Sequence, residues 1–214
     1  MKLLGIQHGQ AIRFLDVERG NPQLVYGINV AKAFEQKYGF VEGPRTVKDF
    51  DLTNGITFLH GIFQSQIVID KVKVYSNGLI VETKEDTDFC VAFIMDVMEW
   101  AKNEIGIVLM PNKKSPDLYM STLEVQMDAD LAEPFSHFDK ISELIENMLR
   151  SYRMPLPKYK VSGFQFGDVE SQNTPFRFER RVGRAISANV YFSVAPLGTK
   201  DHTHLLETLE RLIR

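Results

Sequence analysis

The sequence predicts an α+β fold, a mainly antiparallel sheet backed by helices, readable as two diverged β-β-α units. Three observations predict it. Two β-rich runs flank Ser76-Asn77-Gly78, and Asn-Gly between such runs is the strongest short hairpin signal. Apolar residues recur at helical spacing in four other stretches, and several strand-like runs separate them. Thr83-Lys84-Glu85-Asp86-Thr87 is echoed by Thr199-Lys200-Asp201-His202-Thr203, each between a strand and a helix, which fits a duplicated unit and equally fits two helices that start with similar caps.

Taken in order, residues 3–14 alternate loosely, as a strand or irregular hairpin does, and Gly20-Asn21-Pro22 marks a turn. Val25, Ile28, Val30, Ala31, Phe34 and Tyr38 lie close to helical spacing, with Gly39 as the stop. Gly43-Pro44 and Thr53-Asn54-Gly55 are turn signals before the hairpin. Residues 83–88 supply caps and early acids for a helix over 89–101. That helix is apolar on nearly every side, which predicts deep burial. Residues 111–116 are a polar loop, and Leu123, Val125 and Met127 alternate as in a half-buried strand. Ser136-His137-Phe138-Asp139 resembles a capping box with Asp in the Glu slot. It opens a helix through Ile141, Leu144, Ile145, Met148 and Leu149 that ends near Tyr152. Pro155 and Pro157 mark a connector. Residues 164–166, 176–180 and 189–194 read as strands, and 205–213 as a closing helix.

The chain has 214 residues, 44% apolar and 25% charged, with a formal net charge of -3. That length suits a single domain over 1–214, with a division between 152 and 153 as the alternative. The composition excludes disorder, collagen and a disulfide scaffold. The lone Cys90 sits in an apolar run and reads as a small buried hydrophobe. No stretch approaches the ~18 apolar residues of a membrane span, and no signal-peptide pattern opens the chain. The expectation is therefore a cytoplasmic protein without membrane contact. His8, His60, His137, His202 and His204 show no zinc spacing, and His202-x-His204 stands at a helix start, so no metal is expected there. Gly-x-Gly-x-x-Gly, Walker and Gly-x-Ser-x-Gly patterns are missing, and no cofactor is implied.

The best catalytic candidates are Asp70 and the pair Glu82-x-Lys84 ahead of a helix. This pattern resembles the signature of the restriction-endonuclease-like nucleases over some 15–35 residues. The resemblance implies carboxylates holding a divalent cation and a lysine activating water. Strand register tests it. A two-residue turn at Asn77-Gly78 pairs Tyr75 with Ile80 and Lys73 with Glu82, and sets Asp70 opposite Glu85. Val72, Val74, Leu79 and Val81 then share one face, and Asp70 points away from Glu82 and Lys84. Register thus favours a solvated hairpin face over a metal site.

Charge is segregated. Residues 85–149 carry 14 acidic and 4 basic side chains, whereas 150–184 carry 8 basic and 3 acidic. The basic stretch holds Lys158, Lys160, Arg177, Arg180, Arg181 and Arg184, interleaved with Tyr159, Phe164, Phe166, Phe176 and Phe178. Scarce His and Cys, no converging motif and opposite charge in adjacent segments point first to a non-catalytic binding or assembly subunit. Its partner is another protein or a second copy. The alternative is nucleic-acid or phosphate-ligand binding, because Arg and aromatics on a sheet suit single strands. The metal-dependent nuclease stands third.

Overall fold

The N-terminal run extends past its visible alternation. In the computed structural model β1 occupies Lys2–Arg19, and residues 1–19, 27–130, 133–152, 158–170 and 175–213 are described. The turn at 20–22, Val25, Arg153 and the Pro155–Pro157 connector lie outside the described residues. After β1 come α1 (Ile28–Tyr38), β2 (Ile56–Phe63), β3 (Ile67–Tyr75), β4 (Gly78–Thr83), α2 (Thr87–Trp100) and β5 (Val108–Pro111). Then follow β6 (Leu118–Gln126), α3 (Asp139–Ser151), β7 (Gly163–Phe166), β8 (Phe176–Arg180), β9 (Val190–Ala195) and α4 (Thr199–Ile213). The ladders β1–β4, β1–β5, β2–β3, β3–β4, β7–β8 and β8–β9 are antiparallel, and the class is α+β. Among the described residues no helix is long and apolar enough to cross a membrane.

The chain divides into two compact units. The first comprises Ile6–Thr122 with Pro196–Lys200; the second comprises Met1–Gly5, Leu123–Ala195 and Asp201–Arg214. In the first, the strands run in the order β2-β3-β4-β1, with β5 also on β1. In the second they run β7-β8-β9-β6. In both, the elements follow the same chain order, β-α-β-β-β-α.

The first unit closes over an aromatic core. Phe34 of α1 lies 4.8 Å from Phe58 and 6.4 Å from Phe93, while Tyr38 lies 4.7 Å from Phe93. Phe34, Tyr38, Phe40, Phe58, Phe93 and Trp100 are all buried, as helical spacing in α1 and α2 predicts. Asp86 caps α2 by accepting from the Asp88 N–H. The α2 start is tied further by a reciprocal pair: the Thr87 N–H donates to Thr199 Oγ1 (3.1 Å) and the Thr199 N–H to Thr87 Oγ1 (2.9 Å).

The hairpin differs from the expected register. The turn is Ser76-Asn77, so Tyr75 pairs with Gly78, Val72 with Val81 and Lys71 with Glu82. A shift of two preserves the faces, and Val72, Leu79 and Val81 are buried together as alternation requires. Gly78 is a strand residue here, because a Cβ would meet the Arg13 carbonyl at 2.5 Å. The 136–139 capping box does not form: α3 has Phe138 at its N-cap without a side-chain hydrogen bond. A capping box does form at Thr46 and Asp49.

Candidate functional site

The six basic candidates lie in the second unit and do not converge. Arg177 and Arg180 are three residues apart on β8, so they point to opposite faces. Arg180 is nearly covered. Its Nη2 lies 2.7 Å from Asp130 Oδ1, its Nη1 donates to the Ile186 carbonyl at 2.7 Å, and its guanidinium sits 4.9 Å from the Tyr191 ring centre. Arg181 stacks 5.4 Å from Phe192. Arg184 reaches Glu124 at 3.5 Å, and Lys160 reaches Asp139 at 3.9 Å. Lys158 and Arg177 are exposed. Three of the six therefore pair with carboxylates of the 85–149 segment inside the chain. Phe176 and Phe178 share the β8 face of Arg180, away from Arg177, so aromatics and exposed Arg do not form one stacking platform.

The nuclease-like trio belongs to the first unit. Glu82 Oε1 accepts from Lys71 Nζ at 2.7 Å and from Gln10 at 3.2 Å. Asp70 stands at a break in the β3–β4 register, where pairing passes from Lys71–Glu82 to Ile69–Thr83. Lys84 is exposed beyond the end of β4. Among the described residues no three His, Cys, Asp or Glu side chains are grouped to hold a metal ion.

Ser193, His202 and Cys90 are structural. Ser193 Oγ donates to the Arg177 carbonyl at 3.0 Å and lies 2.8 Å from His202 Nε2, so that nitrogen carries the proton it donates to Oγ. Both residues are fully buried, and burial lowers the His202 pKa from 6.5 to about 4. His204 is exposed, so the two imidazoles diverge. Cys90 is fully buried and its thiol is pushed up to about 12, chiefly by burial, which makes it unreactive. A cavity of about 70 Å³ in the first unit is walled by Ala31, Phe34, Phe58, Val97, Trp100 and other apolar residues, and offers no polar group to orient a ligand.

What remains is an open apolar face in the second unit. Among its described side chains α3 has none buried, although its apolar residues form one stripe. Phe138 is 41% exposed, Ile141 and Leu144 53%, Met148 55% and Tyr152 72%. The helix is held from its polar side: the Tyr159 N–H donates to Glu146 and Lys160 faces Asp139. From Phe138 a chain of ring contacts runs through Phe135 (6.4 Å) and Phe164 (5.8 Å) to Phe166 (5.4 Å), which is 66% exposed. The sequence shows the stripe but not its exposure, since helical spacing marks an apolar face whatever covers it. Compared with known proteins, the chain matches no family model and no curated relative.

Proposed function

We propose that the protein is a non-catalytic binding or assembly subunit whose contact surface is the apolar stripe of α3. One observation carries this reading: a 13-residue amphipathic helix leaves Ile141, Leu144 and Met148 of its apolar stripe exposed, with Ile145 and Leu149 partly covered. Isolated helices of that length are marginal in water, and amphipathic helices draw their stability from burying the apolar face. Large exposed apolar patches mark interaction sites. The in-chain pairing of Arg180, Arg184 and Lys160 turns the reading from complementary charge toward this apolar contact.

A photo-reactive amino acid at Leu144, compared with one at the exposed Lys32 of α1, tests the surface in cells. The expected result is a discrete cross-linked species from position 144 and none from position 32. Equal labelling at both positions, or none at either, refutes the reading.

A further inference from the structure

Resting on that reading, we infer that the occupant of the α3 stripe is the same stripe on a second copy of this chain. The two helices pack antiparallel across a two-fold axis. Phe138, Ile141, Ile145, Met148 and Tyr152 follow 3-4-3-4 spacing, the repeat that seats one helix against another as knobs into holes. Leu144 and Leu149 widen the seam on either side, and Ser142 flanks it. Every charge of the helix, Asp139, Lys140, Glu143, Glu146 and Arg150, lies off the seam.

An uncharged seam reads no charge on a partner, and two copies brought together on it meet no like-charge repulsion. What it matches is another apolar stripe of the same period, and the chain's own copy supplies one. The two-fold arrangement is self-complementary: Ile141 of one copy meets Met148 of the other, and the reverse contact follows by symmetry.

Area supports a modest dimer. A whole large side chain offers roughly 150–250 Å². At the exposures of Phe138, Ile141, Leu144, Met148 and Tyr152, the stripe presents roughly 500 Å² per copy. A pair then buries about 1,000 Å², the lower edge of specific interfaces. Interfaces at this lower edge are weak and transient ones, so the association is sought in the micromolar range.

Sedimentation equilibrium on the full chain, from about 1 to about 200 µM, brackets that range. The expected result is a reversible monomer–dimer equilibrium. Met148→Lys and Ile141→Glu, made separately, each weaken it at least about tenfold, because each places a charge in the seam. Circular dichroism, and the thermal midpoint at concentrations well below the dissociation constant, stay unchanged, since both side chains are half exposed. Mixing the two variants restores dimer, because Glu at 141 of one copy faces Lys at 148 of the other. A monomer throughout the range overturns the inference, as does a dimer that neither substitution weakens. A monomer whose position-144 cross-linker still captures a different protein sinks the self-pairing alone. Monomer together with no cross-link sinks the binding-subunit reading as well.

Discussion

Acidification tests the buried imidazole of the second unit. His202 is wholly enclosed, bridges α4 to β9 through Ser193, and is neutral in the folded protein because burial holds its pKa at about 4. In the unfolded chain it titrates near 6.5. Between these values the unfolded state binds more protons, so the histidine's contribution to stability is full above 6.5 and is lost as pH falls toward 4. The gap of about 2.5 pH units, at 1.36 kcal/mol each, amounts to ~3 kcal/mol. For a chain of this size that corresponds to a fall of roughly 6–12 °C in thermal midpoint. Carboxylates contribute acid sensitivity of their own, so the comparison is with His202→Gln, which keeps an amide donor for Ser193 Oγ but does not titrate. Urea unfolding followed by circular dichroism, at steps from pH 7.5 to 4, reads both proteins. The wild-type advantage over His202→Gln is expected to shrink by ~3 kcal/mol across that window. Parallel stability curves for the two proteins would refute the claim that His202 is held neutral by burial.

Two further perturbations follow from the same geometry. Arg180→Met removes the ion pair with Asp130 and the cation over Tyr191, with an expected loss of ~2 kcal/mol because Asp130 keeps some water. Arg177→Met on the opposite face is expected to stay within about 0.5 kcal/mol, so urea midpoints separate a paired arginine from an exposed one. Thr87→Val or Thr199→Val leaves a buried helix-start N–H without its acceptor and is expected to cost ~1–2 kcal/mol in a thermal melt, whereas Ser at either position retains most of it.

Much of the fold is legible because local periodicity dictates it. The α2 helix, buried on several sides, follows from its apolar composition, and the sharing of one face by Val72, Leu79 and Val81 follows from strand alternation. Register is less legible. Asn77-Gly78 favours a turn at that pair, yet Gly78 is drawn into β4 by the close approach of the Arg13 backbone on β1, far away in sequence. The sequence echo at Thr83 and Thr199 points to repetition but misaligns it. Thr83 ends β4, whereas Thr199 begins α4 and so corresponds to Thr87. Strand β5 is too short and too irregular in pattern to be read at all, and it forms by pairing with the far end of β1. The basic segment shows the same limit. Composition groups Arg177 with Arg180, and only the strand places them on opposite faces.

α1 and α3 hold the same place in the β-α-β-β-β-α plan, and both carry an apolar stripe. In the first unit α1 turns its stripe inward, because Phe34 and Tyr38 find the rings of Phe58 and Phe93. In the second unit α4 serves the sheet instead: Leu206 is fully buried, and His202 reaches Ser193 and packs against Phe176. The rings of Phe164, Phe176, Phe178 and Tyr191 satisfy one another along the strands. The stripe's Phe138 meets the rings of Phe135 and His137, and the Tyr159 and Lys160 contacts lie on the polar side of α3. Amphipathic helices draw stability from a covered apolar face, and α3 leaves Ile141, Leu144 and Met148 half in solvent.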